Sequence, residues 1–310
     1  MSIGVIFPGQ GSQRPGMGRA WAGEPSWLIV ERAEQLLDRP LGHLLLDASA
    51  DELRATAASQ LSVLLASLMA WEAVGDALGE PPAVLAGHSL GQVTALLASG
   101  VLAEPIGLCL AAARADATQT AAEAQPGVMV ALLGASEDQA AEACSAAPEA
   151  CWVANLNGPG QIVIAGTSDG VAAAKVRATA IGVRRLRDLD VGGAFHTPLM
   201  SSAAEQLHDV LDTTRFSAPS VPVVTNHDAV DHHDSLGWPE RLRTHLVSPV
   251  RWSECVQTMV DLGVDRFVEV GPGNALAGLI RRIAPQVSTI NVVEPADLAT
   301  LAEALAGESR

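Results

Sequence analysis

The stretch that most restricts the fold of this chain is GHSLG at positions 87–91, which follows an apolar run at 83–86 and precedes a helix-compatible run at 92–98. Strand, tight turn and helix in that order are the setting in which Gly-x-Ser-x-Gly forms a nucleophile elbow, with the serine hydroxyl held above the sheet. Glycine is expected at both ends because the turn brings backbone segments too close for a side chain. An ordinary strand-to-helix loop with a capping serine is the plain alternative, and the flanking pattern favours Ser89 as a nucleophile.

Composition narrows the classes of partner. The 310 residues are 48% hydrophobic, which is enough for one large domain or for a large domain with a smaller one. The net charge is −16, and nucleic acids and anionic membranes both require a basic surface, so neither is an expected partner. The chain shows no signal-peptide pattern and no apolar stretch that approaches the length needed to span a bilayer, so the cytoplasm is the expected location.

Cysteine and histidine spacing predicts no metal site. The four cysteines have no C-x-x-C spacing and are expected to be small core residues in a reducing compartment. The eight histidines show no H-E-x-x-H or comparable pattern. Two of them, His232 and His233, lie in a polar stretch at 227–237 that is expected to be an exposed loop.

Two segments before the middle of the chain belong with the elbow. A strand at 3–7 leads into a glycine-punctuated loop at 9–13, whose spacing fits no phosphate-binding motif. A plain turn is possible there, but in an elbow enzyme such a loop commonly supplies an N–H group of the oxyanion hole. A helix predicted at 59–78 is too apolar for the surface and is expected to pack against the sheet near the nucleophile.

Arg114 is the single basic residue of a helix predicted over 106–124. A surface charge is the plain interpretation. The sharper one is a buried guanidinium that binds a carboxylate, because the rigid fork of arginine binds carboxylates through two bonds.

The pattern between 127 and 191 differs from the rest of the chain. It predicts strand, helix, two strands, helix and strand, the order of a ferredoxin-like fold. We therefore expect a small ferredoxin-like subdomain at 127–191, inserted between the two parts, 1–126 and 192–310, of a large catalytic subdomain. Further helices are predicted near 199–211, 241–247, 255–262 and 276–283, and further strands near 221–224, 266–270 and 289–293.

His196 is the best candidate for the base that a serine nucleophile needs. It follows Ser89 in the Ser-then-His order of elbow enzymes, and two glycines at 192–193 precede it. No carboxylate between the two stands out as a third member. A backbone carbonyl can fill that role, because it needs only an acceptor for Nδ1–H.

Five motifs in order carry a resemblance to a known family: FPGQGSQ at 7–13, GHSLG at 87–91, NGPGQ at 157–161, AFH at 194–196 and VGPG at 270–273. Together they resemble the malonyl-CoA:acyl carrier protein transacylase family, which includes the acyltransferases of polyketide synthases. The resemblance covers residues 1 to about 293. It implies an α/β-hydrolase-like core with a parallel sheet and an inserted ferredoxin-like subdomain, in agreement with the segmentation above.

The resemblance also implies a mechanism. Ser89, with His196 as base, would take an acyl group from acyl-CoA and pass it to the phosphopantetheine thiol of an acyl carrier protein, in fatty acid or polyketide synthesis. The backbone N–H groups of Gln10 and Leu90 would bind the oxyanion, and the main-chain carbonyl of Arg251 would orient the histidine. No cofactor is implied, since malonyl-CoA is the substrate.

The acyl group implied by the resemblance is malonyl. Arg114 matches the family's arginine that pairs with the free carboxylate, and Gln60 matches a glutamine that lines the same pocket. Phe195 stands where members that use malonyl have Phe and members that use methylmalonyl usually have Ser. A phenyl ring there leaves little room for a branched acyl group, although one methyl group is worth only about 1–3 kcal/mol in such a pocket.

The chain departs from the family pattern at several positions, all expected to surround the acyl pocket. Gln92 replaces the usual Glu, Ala115 the usual Gly, Thr118 the usual Met, and Ser62-Val63 the usual Pro-Ala. An unusual acyl group therefore stays open as an alternative.

Two other functions are open to the same scaffold. A proofreading acyl hydrolase or thioesterase would use water in place of the carrier thiol and would not need Arg114. An inactive docking module is disfavoured because Ser89 and His196 are both present.

The chain begins and ends close to its first and last strands, which predicts a free-standing enzyme that serves carriers in trans.

A carrier protein is acidic, so an acidic transferase is expected to present a local basic patch. Candidates for the patch are Arg184, Arg185 and Arg187 at the edge of the small subdomain, and Arg281 and Arg282. Scattered solvated charges are the alternative.

Overall fold

Ten strands and thirteen α-helices occur in residues 2–306, the part of the chain that this computed structural model describes. In chain order the strands are β1 (Ile3–Phe7), β2 (Val84–Gly87), β3 (Val128–Leu133), β4 (Cys151–Gly158), β5 (Gln161–Gly166), β6 (Arg185–Asp188), β7 (Val223–Val224), β8 (Asp231–His232), β9 (Arg266–Val270) and β10 (Ser288–Val292). The helices are α1 (Leu28–Leu37), α2 (Leu41–Leu46), α3 (Thr56–Leu78), α4 (Leu90–Ala98), α5 (Glu104–Ala124), α6 (Glu137–Cys144), α7 (Ser168–Ala180), α8 (Ser201–Gln206), α9 (His208–Thr213), α10 (Trp238–Val247), α11 (Trp252–Asp261), α12 (Ala275–Ile283) and α13 (Asp297–Ala306).

The large sheet has the strand order β10-β9-β1-β2-β7-β8 and is parallel except for the pairing of β7 with β8. In its register Val5 lies beside Leu85, and Phe7 lies beside Gly87. Because β1 and β2 are parallel neighbours, their carboxyl ends lie at the same edge of the sheet. The loop that follows β1 is therefore brought directly against the turn that follows β2, at the edge where open α/β sheets bind their ligands.

Helix α3 is the central helix of the large core, as its apolar composition predicts. Every residue from 59 to 70 is buried, and the helix packs against α4, α5 and β9. By length and composition alone this 23-residue helix could cross a membrane, so the expectation that no apolar stretch has that length is wrong. Its composition has a local explanation, because a helix that is packed on all sides is apolar on all sides.

The small sheet is antiparallel, with the strand order β4-β5-β3-β6. Helices α6 and α7 pack together and against its strands. Ser136 caps α6, and Gln139 completes a reciprocal capping box. The observed order of strands and helices in 127–191 is the one that the sequence predicts.

The two sheets are joined near Val250, which forms an isolated bridge with Asn155. The N–H group of Val250 donates to the carbonyl of Ala154 over 2.9 Å, and its carbonyl accepts from Leu156 over 2.8 Å. This connection brings the segment before α11 against β4.

Two local expectations are wrong. The helix predicted at 199–211 is a 3₁₀ turn (Pro198–Met200) followed by α8 and α9, which are separated at Leu207. The stretch 227–237 is only partly exposed, since β8 pairs with β7 and two of its histidines are largely buried. The side chains of His227 and His232 are 17% and 11% exposed beside the Asp228 carboxylate, whereas His233 is 64% exposed.

Candidate active site

Ser89 lies in a strained turn between β2 and α4, with φ 53° and ψ −107°. A non-glycine residue in such a conformation costs about 1–3 kcal/mol, which the surrounding structure must offset. The neighbouring glycines explain how the turn closes. A Cβ atom on Gly87 would lie 1.9 Å from the carbonyl of Gly91, and one on Gly91 would lie 2.1 Å from the carbonyl oxygen of Phe7.

The hydroxyl of Ser89 meets the imidazole of His196. Oγ lies 2.6 Å from Nε2, and Nδ1 lies 2.9 Å from the main-chain carbonyl of His245. Since a carbonyl only accepts, Nδ1 carries the proton and Nε2 is the free acceptor that faces Ser89. His196 also has a positive φ, 60°, and its side chain is buried.

The expectation that the carbonyl of Arg251 orients His196 is wrong. That carbonyl accepts the N–H group of Cys255 at the start of α11. The carbonyl of His245 takes the role because it lies in the last turn of α10, where helix carbonyls have no partner within the helix. The only sequence sign of this acceptor is the predicted end of that helix, near residue 247.

The His196 imidazole is neutral. Burial, and after it repulsion of the protonated form by Arg114, lower its pKa to about 3, and the carbonyl of His245 opposes these effects only in part. His196 can therefore accept a proton throughout the physiological pH range.

Arg114 projects from α5 into the same site and is only 6% exposed. Its Nη2 atom lies 3.4 Å from Ser89 Oγ, and its Nη1 atom donates to Oε1 of Gln60. Burial lowers its pKa to about 10, so the guanidinium keeps its charge at neutral pH. No carboxylate within residues 2–306 pairs with it, and a buried charge without a counterion is costly. The site is thus prepared for an anionic ligand.

The side chain of Gln60 is held in place by Thr118. Nε2 of Gln60 donates to Oγ1 of Thr118 over 2.9 Å, and that hydroxyl donates to the carbonyl of Arg114 over 2.8 Å. All three residues are buried. Gln60 therefore presents its oxygen to Arg114 in one fixed orientation.

A cavity of about 170 Å³ opens in front of Ser89 and contains the predicted pocket residues Gln60, Arg114 and Phe195. Its apolar wall includes residues of the small sheet and of the segments that follow it, namely Met129, Val163, Leu189, Val191 and Met200. A second cleft of about 500 Å³ adjoins this cavity, and His88 and Asn157 are among the residues that line both. The cleft extends past Arg54 and Arg187.

Gln10 and Leu90 also line the cavity, on the two turns that the parallel pairing of β1 and β2 brings together. Neither backbone N–H group donates to an acceptor in the described chain. The N–H group of Ser89 is different, because it donates to Oδ1 of Asn226 over 2.8 Å. Two free donors thus remain beside the nucleophile.

Only one of the departures from the family pattern lines the cavity, so the expectation that all of them surround it is wrong. Thr118 is that residue. Gln92 is fully buried behind the elbow, where its Oε1 accepts the N–H group of Asn226 over 2.7 Å. Asn226 is itself a residue that the motifs do not reveal, although it lies only two positions after a predicted strand.

Among residues 2–306 there is no group of three or more His, Cys, Asp and Glu side chains that could hold a metal ion. The four cysteines are free, and three of them are buried.

An α/β fold with a strained serine against a neutral histidine and a buried arginine defines a class of group-transfer or hydrolytic enzyme, and comparison identifies the family. The chain belongs to the acyl transferase family, since the model of the acyl transferase domain matches residues 5–302. It is 35% identical over 298 residues to the malonyl CoA-acyl carrier protein transacylase of Bacillus subtilis strain 168, a match that covers 94% of each chain. The resemblance found in the sequence and the expected fold class are both confirmed.

Solved structures agree over nearly the whole chain. An acyl carrier protein S-malonyltransferase from Vibrio cholerae matches with a TM-score of 0.92 and 37% identity, covering 97% of this chain and 100% of that one. A malonyl-transacylase solved in complex with its type II polyketide synthase acyl carrier protein matches with a TM-score of 0.93 and 32% identity, covering 98% and 100%.

Proposed function

We propose that this protein transfers a malonyl group from malonyl-CoA to the phosphopantetheine thiol of an acyl carrier protein. The observation that carries the proposal is the buried Arg114, charged and without a carboxylate of its own, 3.4 Å from the Ser89 hydroxyl. In a malonyl thioester one CH₂ group separates the free carboxylate from the reacting carbonyl, so arginine can bind the first while serine attacks the second. The names of the relatives support the same substrate and carrier.

In the first half-reaction His196 Nε2 takes the proton of Ser89 Oγ as that oxygen bonds to the thioester carbon. The electron pair of the carbonyl moves to its oxygen, which the N–H groups of Gln10 and Leu90 are placed to bind. When the tetrahedral intermediate collapses, the C–S bond breaks, and the CoA sulfur leaves with the proton from His196. Removing one oxyanion donor typically costs about 2.7–4 kcal/mol of transition-state stabilisation.

The second half-reaction reverses these steps with a different thiol. His196 takes the proton of the phosphopantetheine thiol, the thiolate attacks the malonyl-Ser89 ester, and the serine leaves with the proton. The nucleophile, base and positive charge all come from side chains of this chain, so malonyl-CoA enters as a substrate and the proposal includes no cofactor. Phe195 borders the cavity where a branched acyl group would project, which favours malonyl over methylmalonyl.

For the carrier we propose entry of its phosphopantetheine arm through the cleft of about 500 Å³ that reaches the surface past Arg187. Arg282 contacts Gln161, another residue of that cleft, through a 2.7 Å hydrogen bond. Acidic groups of a carrier would meet these arginines and Arg185, which lies on β6 with Arg187. A relative solved with its own acyl carrier protein supports this class of partner.

We also propose that 127–191 forms an inserted subdomain and that the enzyme acts in the cytoplasm. A separate cluster of buried apolar side chains between the small sheet and its helices supports the first. The free cysteines and the CoA substrate suit a reducing compartment and support the second.

The test is incubation with malonyl-CoA followed by the intact mass of the protein, with and without a phosphopantetheinylated carrier. We expect a malonyl adduct on the wild type, none on Ser89→Ala, and rapid transfer of the adduct to the carrier. Loss of the adduct to water at the same rate with and without carrier would favour the hydrolase instead. No adduct at all would refute acylation by malonyl-CoA.

A further inference from the structure

Asn226 holds the turn that carries Ser89 from both sides. Its Oδ1 accepts the N–H group of Ser89 over 2.8 Å, and its Nδ2 donates to the carbonyl of Gly87 over 2.9 Å. The residue lies two positions after the end of β7 and is fully buried. One primary amide thus bridges the residues on either side of His88, at the point where the backbone reverses into the left-handed region.

Asn226 is fixed in turn through its own backbone. Its N–H group donates to Oε1 of Gln92 over 2.7 Å, and its carbonyl accepts the N–H group of Arg251 over 2.9 Å. Gln92 lies in the first turn of α4, three residues after Ser89. The contacts therefore form a closed loop from the elbow through Asn226 and Gln92 back to the helix that the elbow begins.

We propose that Asn226, supported by Gln92, is a positioning residue that holds Ser89 in its reactive conformation. The buried N–H group of Ser89 must find an acceptor, and Oδ1 of Asn226 provides it only in the strained turn. Without that acceptor the turn is free to relax, which moves Oγ away from Nε2 of His196. The same bond occupies the amide of Ser89 and leaves the amide of Leu90 free at the cavity. The inference rests on the proposed role of Ser89 as nucleophile.

The chemistry demands an amide of this length. One atom must accept from Ser89 and the other must donate to Gly87, and asparagine supplies both from a single planar group. In Asn226→Asp the second oxygen would face the carbonyl of Gly87, so that two acceptors meet. In Asn226→Ala both bonds are lost. Both variants are expected to weaken the positioning.

The experiment measures the reactivity of Ser89 directly, by the rate of covalent labelling with a fluorophosphonate, beside kcat and KM for malonyl-CoA. For Asn226→Ala and Asn226→Asp we expect labelling and kcat to fall by roughly 10- to 100-fold, the scale of a small misplacement of a reacting group, with KM within about twofold. The matched control is Asn291→Ala, because Asn291 donates one 2.8 Å hydrogen bond to Glu269 away from the elbow. Its labelling rate per folded molecule should equal that of the wild type.

A second pair of variants keeps the test decisive if the asparagine variants do not fold. Nε2 of Gln92 has no hydrogen-bond partner within residues 2–306, so its oxygen is the atom in use. Gln92→Leu removes that acceptor and is expected to slow labelling, and Gln92→Glu, which keeps an acceptor, should recover most of the loss.

The proposal would be overturned if Asn226→Ala were labelled at the same rate per folded molecule as the wild type. If the asparagine variants do not fold, the same comparison is made with Gln92→Leu. Because the fluorophosphonate reports on the serine alone, this result is distinguishable from failure of the malonyl proposal. If the malonyl proposal failed, the wild type would still be labelled by the fluorophosphonate but would not take malonyl.

Discussion

The Nε2 atom of Gln60 donates a 2.9 Å hydrogen bond to Oγ1 of Thr118, and this bond turns the oxygen of Gln60 toward Arg114. Arginine only donates, so the opposite orientation of the amide would set two donors against each other. Thr118, which departs from the family pattern inside the acyl pocket, thus has a defined structural role. Thr118 fixes the partner of the guanidinium that we propose for the substrate carboxylate.

Removing the Thr118 hydroxyl should weaken malonyl binding. In Thr118→Val the amide of Gln60 loses its acceptor, and a neutral buried hydrogen bond is worth about 1 kcal/mol, so KM for malonyl-CoA should rise roughly fivefold. Thr118→Ser keeps the hydroxyl and serves as the matched control. Steady-state kinetics of both variants decide the matter, and equal KM values in the two would contradict this role.

Arg114→Ala should change acyl selectivity. Hydrogen bonds to charged groups contribute about 1.5–3 kcal/mol, so kcat/KM for malonyl-CoA should fall roughly 10- to 150-fold, and acetyl-CoA should be used better relative to malonyl-CoA. The control is Arg177→Ala, which removes a half-exposed arginine paired with Glu142. The measurement is kcat/KM for both thioesters. An unchanged ratio would remove Arg114 from the carboxylate role.

Phe195→Ser should widen the cavity beside the acyl α-carbon. The ratio of kcat/KM for methylmalonyl-CoA to that for malonyl-CoA should rise, by an amount limited to about 1–3 kcal/mol for one methyl group. Competition between the two thioesters for the same enzyme sample measures the ratio directly. If the ratio stays constant, the steric argument for malonyl fails.

Because His196 is neutral, we expect acylation and stability to depend on pH in different ways. Because burial holds the pKa of His196 near 3, acylation should not lose its base between pH 8 and pH 5.

Stability should behave differently, since an unfolded histidine has a pKa of about 6.5 and so binds more protons than the folded one between these values. The free energy of unfolding should therefore fall as the pH drops below about 6.5.

Chemical denaturation at pH 7, 6 and 5 tests the stability prediction. His196 should contribute up to about 1.4 kcal/mol per pH unit to the slope, and His196→Gln should lower the slope by that amount. Other buried histidines with lowered pKa values, such as His88 and His245, keep part of the slope in the variant. Identical slopes in the wild type and the variant would contradict the assignment.

Reversing charge at the small sheet should affect the carrier but not the CoA substrate. The double variant Arg184→Glu and Arg185→Glu lies outside the residues that line the cavity and the cleft. We expect KM for the acyl carrier protein to rise several-fold, with the rise shrinking at high salt because exposed charges are screened. KM for malonyl-CoA is the internal control, and equal effects on both substrates would argue against a docking role.

Much of this molecule follows from short-range pattern. The elbow at 87–91 can be predicted from the sequence because its two glycines are required locally, by the close approach of Gly91 to Gly87 and to β1. The alternation of strands and helices in 127–191 can be predicted because each element has its own periodicity and caps. The helix pattern and the Ser-then-His order add Arg114 and His196 as candidates, and the family resemblance adds Gln60. The folded chain brings all three to the cavity in front of Ser89.

Only the tertiary structure decides which backbone groups and which distant amide serve the serine. A carbonyl has no side-chain signature, so the acceptor for His196 is set by where α10 ends, and it is His245 and not Arg251. Asn226 reaches Ser89 because β7 pairs in parallel with β2, a contact between residues far apart in the chain. Gln92 is a departure in the sequence and a support in the fold, since α4 turns it away from the cavity and toward Asn226. Non-local pairing, and the contact of a helix end with a distant side chain, are products of packing, and for that reason they lie beyond what residue order alone can specify.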